Sequence, residues 1–260
     1  MVKFVLAICM LILTFQSYGR ELIIGVNERD IYRYIDKNGS WAGKDIELIK
    51  AVFRRTPYTF KIISMPWPRV LKGLESGDVD MTLAGSILPE RQAYALFSKH
   101  VFRYSHYMLF VHKSKLDLFQ SVTVLADLTK KDILIGALRG AIYSDSYNEL
   151  LKNDEFVERL AYIGDDQHMA SFVLKRRVDA YIDSEIEGKH YLLKEPDYSN
   201  NIIPLFRITS DEEAESNLMY SKKTISQTLV DEFDEALREL HQSGEYEQIS
   251  KKFDPAEQGS

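Results

Sequence analysis

Cysteine is almost missing from this chain: Cys9 is the only one in 260 residues. It lies within residues 1–19, where Lys3 precedes an apolar run from Phe4 to Phe15 and Ser17-Tyr18-Gly19 sets small residues at −3 and −1. That arrangement reads as a secretory signal cut before Arg20, with a run too short to favour a membrane anchor. The apolar region continues past Cys9 to Leu13, which argues against a lipoprotein site there. The mature chain is therefore expected to hold no thiol and no disulfide, which excludes cysteine nucleophiles and cysteine-ligated metals. No later stretch reaches membrane-spanning length. Excess positive charge is missing too: the formal charge is −6, and −7 once Lys3 leaves with a segment that holds no acid. An acidic exported chain argues against nucleic acid and anionic membrane surfaces as partners. Histidines with matched ligand spacing are lacking, because His100, His106 and His112 recur every six residues while His168, His190 and His241 are scattered. No metal is expected on that ground. Ser86 and Ser98 have no Gly-x-Ser-x-Gly elbow, no glycine-rich phosphate loop is found, and no cofactor is expected.

What is present is 45% hydrophobic sequence, enough for one sizeable core or two lobes of roughly 100 residues each. ELIIGVN (21–27) reads as a buried strand, DKNG (36–39) as a turn, and residues 45–55 as an amphipathic helix. TFKIIS (59–64) is a second strand, residues 69–75 a short helix, and VDMTLAG (79–85) a third strand. A second block begins at YMLFVHK (107–113). It runs through ILIGALRG (133–140), a helix over 143–151, a strand near 161–163, a helix over 167–176 and VDAYID (178–183). LKGLESGDVDMTLAGS and VLKRRVDAYIDSE share the order helix, polar break, Val-Asp, apolar strand. Alternating strands and helices in both blocks predict two α/β lobes with largely parallel sheets. The end, from Ile225 to Phe253, is two helices split at Ser243-Gly244, with Leu229, Phe233, Ala236, Leu237 and Leu240 on one stripe.

Arg91 is the residue that poses a chemical question. Pro89 and Glu90 suit a first helical turn, whereas a cation there faces the positive end of the helix. In open α/β sheets ligands sit beyond the carboxyl ends of strands, and Ser86 and Arg91 both follow such an end. A ligand carboxylate would offset the repulsion and take a bidentate guanidinium contact. The alternative is an arginine paired with a nearby acid or projecting into water. Asp183 ends the matching strand of the second block and offers a carboxylate to an ammonium, or caps the next turn; Glu185 and Glu187 stand close enough to replace it.

SWAGKDIELIKAV, WPRVLKGLESGDVDM, AGSILPERQAYALFS, ILIGALRGAIYS, RRVDAYIDSE and LRELHQSGEYEQISKKF follow in the order of the periplasmic solute-binding proteins of ABC importers. The whole mature chain resembles their polar amino-acid branch. The resemblance implies a type II two-lobed fold closing over one small molecule: residues 20–104 with 210–260 as one lobe, 105–209 as the other. It implies that Arg91 grips an α-carboxylate with help from Ser86 beside Gly85, that Asp183 takes an α-ammonium, and that Tyr32 or Tyr34, and less directly Trp67, covers the ligand side chain. Two departures stand out. Leu88 replaces a threonine common in that motif, and Ala141-Ile142 replaces a Thr-Thr pair after Gly140, so main-chain N–H groups near Gly140 have to do that work or the ligand is not a plain amino acid. Arg139, just before, is a candidate for an acidic ligand group or a solvated charge. The resemblance further implies a monomeric periplasmic protein that hands an amino acid or related carboxylate to an ABC transporter permease. The alternatives are a membrane sensor as partner, and a dehydratase-like enzyme using Glu185 or His168.

Overall fold

The computed structural model describes residues 20–164, 169–208 and 213–253; residues 1–19, Gln167 and His168 lie outside them. Two sheets, each flanked by helices, give a two-lobed α/β molecule. The first sheet takes β1 (Glu21–Val26), β4 (Thr59–Ser64), β5 (Met81–Gly85), β6 (Ala95–Phe97), β7 (Arg103–Ser105) and β13 (Ala214–Ser221). Its order is β4-β1-β5-β13-β6, with β7 also on β13. The second takes β8 (Tyr107–His112), β9 (Ile135–Leu138), β10 (Leu160–Ile163), β11 (Ala180–Ser184) and β12 (Ile202–Arg207), in the order β10-β9-β11-β8-β12. A small antiparallel hairpin, β2 (Tyr34–Ile35) with β3 (Trp41–Ala42), stands apart.

The helices are α1 (Lys44–Phe53), α2 (Trp67–Ser76), α3 (Pro89–Gln92), α4 (Leu116–Phe119), α5 (Asp145–Leu150), α6 (Asp154–Val157), α7 (Met169–Leu174), α8 (Glu185–Lys194), α9 (Pro196–Asn201), α10 (Gln227–Gln242) and α11 (Glu245–Lys252). The stripe Leu229, Phe233, Ala236, Leu237 and Leu240 of α10 is buried against α1 and the β1–β5–β13 face, where Leu22, Ile24, Leu48, Val52, Met81 and Tyr220 complete one core. At helical spacing those residues give α10 a continuous apolar face, which is what holds it on the sheet. Among the described residues no helix is long and apolar enough to cross a membrane.

Both sheets follow one plan. β5 and β11, the two Val-Asp strands, each lie between a parallel neighbour, β1 or β9, and an antiparallel one, β13 or β8. The parallel order expected from the alternating pattern is found on one side of each sheet, and the other side runs antiparallel. β13 closes the first sheet from more than a hundred residues away, a pairing that local periodicity does not carry.

Candidate functional site

One cavity of about 40 Å3 lies between the lobes, room for about three waters. Its lining comes from Asn27, Arg29, Arg33, Trp67, Ala84, Ser86, Arg91, Arg103 and Ser216 on the first sheet's side, and from Tyr107, Leu138, Ala141 and Ile142 on the second's. Five residues predicted from sequence are there: Arg91, Ser86, Trp67, Ala141 and Ile142.

Arg91 answers the question its position raised. Helix α3 is a single turn, and the guanidinium leaves it for carbonyl groups: Nη1 donates to Ser86 O at 3.1 Å and Nη2 to Gly140 O at 2.5 Å, across the cleft. The residue is 4% exposed, and among the described residues it has no carboxylate in ion-pair contact. Burial holds its guanidinium below the ordinary arginine value, with Tyr94 and Glu90 acting the other way. Trp67 Nε1 donates to the same Gly140 carbonyl at 3.1 Å, and its ring faces Arg91 with 5.9 Å from Cζ to the centroid.

The other arginines on this wall were not anticipated, and a tight loop sets two of them. Arg29 and Arg33 pair back to back through two 2.8 Å backbone hydrogen bonds. Between them Ile31 sits at φ 66°, a strained conformation for a β-branched residue. The carbonyls of Ile31 and Tyr32 accept from Lys44 N at 2.7 Å and Asp45 N at 2.9 Å, so the loop satisfies the open first turn of α1. Gly43 makes this fit possible: at φ 113° its missing Cβ would stand 2.5 Å from Tyr32 O.

Arg33 donates to Asp45 Oδ2 at 2.5 Å and through Nε and Nη2 to Asn27 at 2.7 Å each. Arg103 reaches the same Asp45 at 3.0 and 3.2 Å and stacks 3.9 Å from the Tyr32 centroid. Asp45 is fully buried. Burial pulls the Arg103 guanidinium down, but Asp45, Tyr32 and Tyr107 together outweigh it and hold it above the ordinary arginine value. Arg29 crosses the cleft, pairing with Asp183 and with Glu187, whose Oε2 also accepts from Nε at 2.6 Å.

The remaining predicted residues lie off the cavity. Asp183, 2% exposed, faces Arg29 and accepts from Ser184 N at 2.7 Å. It has a cation from the opposite lobe where a ligand ammonium was expected. Tyr32 is turned across to lobe 2, its hydroxyl 2.8 Å from Ser184 Oγ, and burial pushes its phenol up despite Arg103. Tyr34 is half-buried in the β2–β3 hairpin. Gly85 packs under Met219 of β13. Arg139 is exposed and lies over the Tyr162 ring at 5.3 Å. Glu185, a candidate for proton transfer, faces Lys189 at 2.5 Å and Arg207 at 2.6 Å. His168 falls outside the described residues. The missed signal was local: Asn27 and Arg29 follow the carboxyl end of β1, the rule that singled out Ser86 after β5.

Comparison with known proteins gives one family. The model for bacterial extracellular solute-binding proteins, family 3, matches residues 22–255. An arginine-binding extracellular protein of Bacillus subtilis (strain 168), ArtP, is 27% identical over 244 residues, covering 92% of this chain and 88% of that protein. The L-cystine-binding protein TcyJ of the same organism is 25% identical over 229 residues, covering 85% and 78%. Among solved structures, an ancestral arginine-binding protein bound to arginine aligns with a TM-score of 0.74 at 21% identity, covering 90% of this chain and 97% of that one.

Proposed function

The chain belongs to the bacterial extracellular solute-binding proteins, family 3, and on that premise we propose that its two lobes capture a small carboxylate-bearing solute of the amino-acid class for delivery to an ABC importer. The named relatives bind arginine and cystine, ligands that share an α-carboxylate. The observation that carries the reading is Arg91: a guanidinium buried at the cleft, held by two carbonyls and, among the described residues, by no carboxylate. A carboxylate arriving there exchanges neutral acceptors for a charged one, which makes a shorter and stronger hydrogen bond. Ser86 and the main chain at Gly140–Ile142 line the same spot, and Trp67 and Ile142 supply apolar cover.

In this reading residues 20–104 with 210–260 form one lobe and 105–209 the other, since the first sheet draws on both ends of the chain and the second on its middle. Residues 1–19 direct export to the periplasm, and the exported chain works as a monomer. Asp183 serves a ligand ammonium only where Arg29 gives it up. Catalysis is not part of the proposal, for both oxygens of Glu185 are engaged by cations away from the cavity lining. Ligand contacts to both lobes favour closure, so affinity and closure are one coupled equilibrium.

The test is Arg91→Ala, measured by calorimetry with the tightest carboxylate from a thermal-shift screen of amino acids and organic acids. Losing a charged hydrogen bond of about 1.5–3 kcal/mol weakens binding at least about tenfold. Unchanged affinity would remove Arg91 from the site.

A further inference from the structure

Two residues with side chains take positive φ beside this cleft: Ile31, between the lining residues Arg29 and Arg33, and Ala84, itself part of the lining. The contact with α1 accounts for Ile31. Ala84 is different, because it lies inside strand β5 at φ 55°. Residues with a Cβ seldom adopt that conformation, and strain of this kind collects where a site needs a fixed geometry. The strand register shows what the strain achieves. Gly85 pairs with Asn217 and Thr82 with Met219, so Leu83 and Ala84 together face the single residue Leu218 as a β-bulge. The extra residue shifts the alternation by one and changes the face on which the strand's end presents its groups. Gly85 locks the turn from the next position, since a Cβ there would overlap Met219. Beyond it, Ser86 lines the cavity, and its carbonyl accepts from Arg91 Nη1 at 3.1 Å.

Resting on the reading of Arg91 above, we propose that Ala84 is a positioning residue for the carboxylate site. Its left-handed turn places the Ser86 carbonyl, and that carbonyl fixes one side of the Arg91 guanidinium. The other hold on Arg91, from Gly140 O, belongs to the opposite lobe. Within the first lobe the aim of the cation therefore depends on Ser86, and Ser86 depends on the bulge. A residue that resists left-handed backbone straightens the bulge and moves the carbonyl away from Arg91. A residue that accepts it preserves the site, whatever its size.

Four variants of the exported chain separate backbone shape from side-chain volume: Ala84→Gly, Ala84→Asn, Ala84→Val and Ala84→Thr. Glycine and asparagine tolerate the left-handed region, whereas β-branched valine and threonine do not, and asparagine is close to valine in size. Calorimetry with L-glutamate, L-glutamine, L-arginine and lactate reads the effect, with folding checked by circular dichroism. For the probe that the native chain binds tightest, the glycine and asparagine variants should stay within about threefold, and the valine and threonine variants should lose about tenfold or more. In an Arg91→Ala background, Ala84→Val should add less than about threefold, because its effect runs through Arg91. Losses that follow size, with asparagine as damaging as valine, overturn the inference, and so does a tenfold loss that persists without Arg91. If Arg91→Ala loses binding while Ala84→Val keeps it, this inference falls and the capture site stands. If Arg91→Ala keeps native affinity, or no probe binds, the reading of Arg91 falls as well. Failure of both β-branched variants to fold, beside a stable asparagine variant, assigns Ala84 to the fold alone and also overturns the inference.

Discussion

The two walls of the cleft are built on sheets of one plan, yet they carry different chemistry. The wall from the first lobe presents four arginines, three paired with buried acids and Arg91 held by the carbonyls of Ser86 and Gly140. The wall from the second presents a tyrosine, a leucine, an alanine and an isoleucine, and sets its acids to one side. Those acids alternate, Asp183, Glu185 and Glu187. The first and third reach across to Arg29, and the middle one pairs within its own lobe. The difference separates two tasks. On the proposed function, the first lobe would recognise charge, and the second would supply cover and the contacts that register closure.

The sharpest way to break this division is Asp45→Asn. One carboxylate at zero exposure pairs with both Arg33 and Arg103, and Asp45→Asn replaces that shared charge with a neutral amide for each of them. Breaking a buried ion pair from one side costs about 3–5 kcal/mol. Urea unfolding should show a loss of that size, with ligand affinity falling too, because the arginine wall loses its anchor. A loss below about 1 kcal/mol, the range of exposed pairs, would mean that water screens this cluster.

That Asp45 matters so much could not be read from the sequence. There it is one acid at the start of an amphipathic helix, a place where acids are common for dipole reasons alone. Its partner Arg103 lies 58 residues away on a three-residue strand. Long periodic segments were legible because their burial repeats locally: β1, β4, β5, α1 and α10 lie within a few residues of their expected bounds. Strand β13 was not, since AESNLMYS becomes a strand through partners far along the chain. The same split holds in the site. Arg91 announced itself by conflicting with its helix, whereas Arg29 and Arg33 sit in NERDIYRY, a charged loop whose shape depends on Gly43 and α1 beneath it.

A milder test addresses closure. Tyr32→Phe removes the hydroxyl that meets Ser184 Oγ across the cleft and leaves the ring under Arg103. A neutral hydrogen bond contributes about 0.5–1.5 kcal/mol, so ligand affinity should fall about threefold to tenfold while the preference among ligand charges stays the same. A changed charge preference would show that Tyr32 belongs to the recognising wall and not to the closing contacts.

The smallest effect is expected at Glu185, the acid that does not cross the cleft. Burial raises its carboxyl, but hydrogen bonds and charge from Arg207 and Lys189 outweigh this and leave it below the ordinary glutamate value. The folded chain thus holds the proton less tightly than the unfolded chain does. The stability this group contributes is complete above about pH 4.3 and disappears as pH falls through its lowered native value. Glu185→Gln should therefore unfold at lower urea concentration than the native chain at pH 7, with the gap closing in acid. Ligand preference should not move, because the side chain faces Lys189 and Arg207 and lies off the cavity lining. A gap that widens on acidification would reverse the sign of the linkage. A variant that altered ligand binding would place Glu185 with Asp183 and Glu187, and the second lobe's acids would then have to be treated as one electrostatic unit facing the arginine wall.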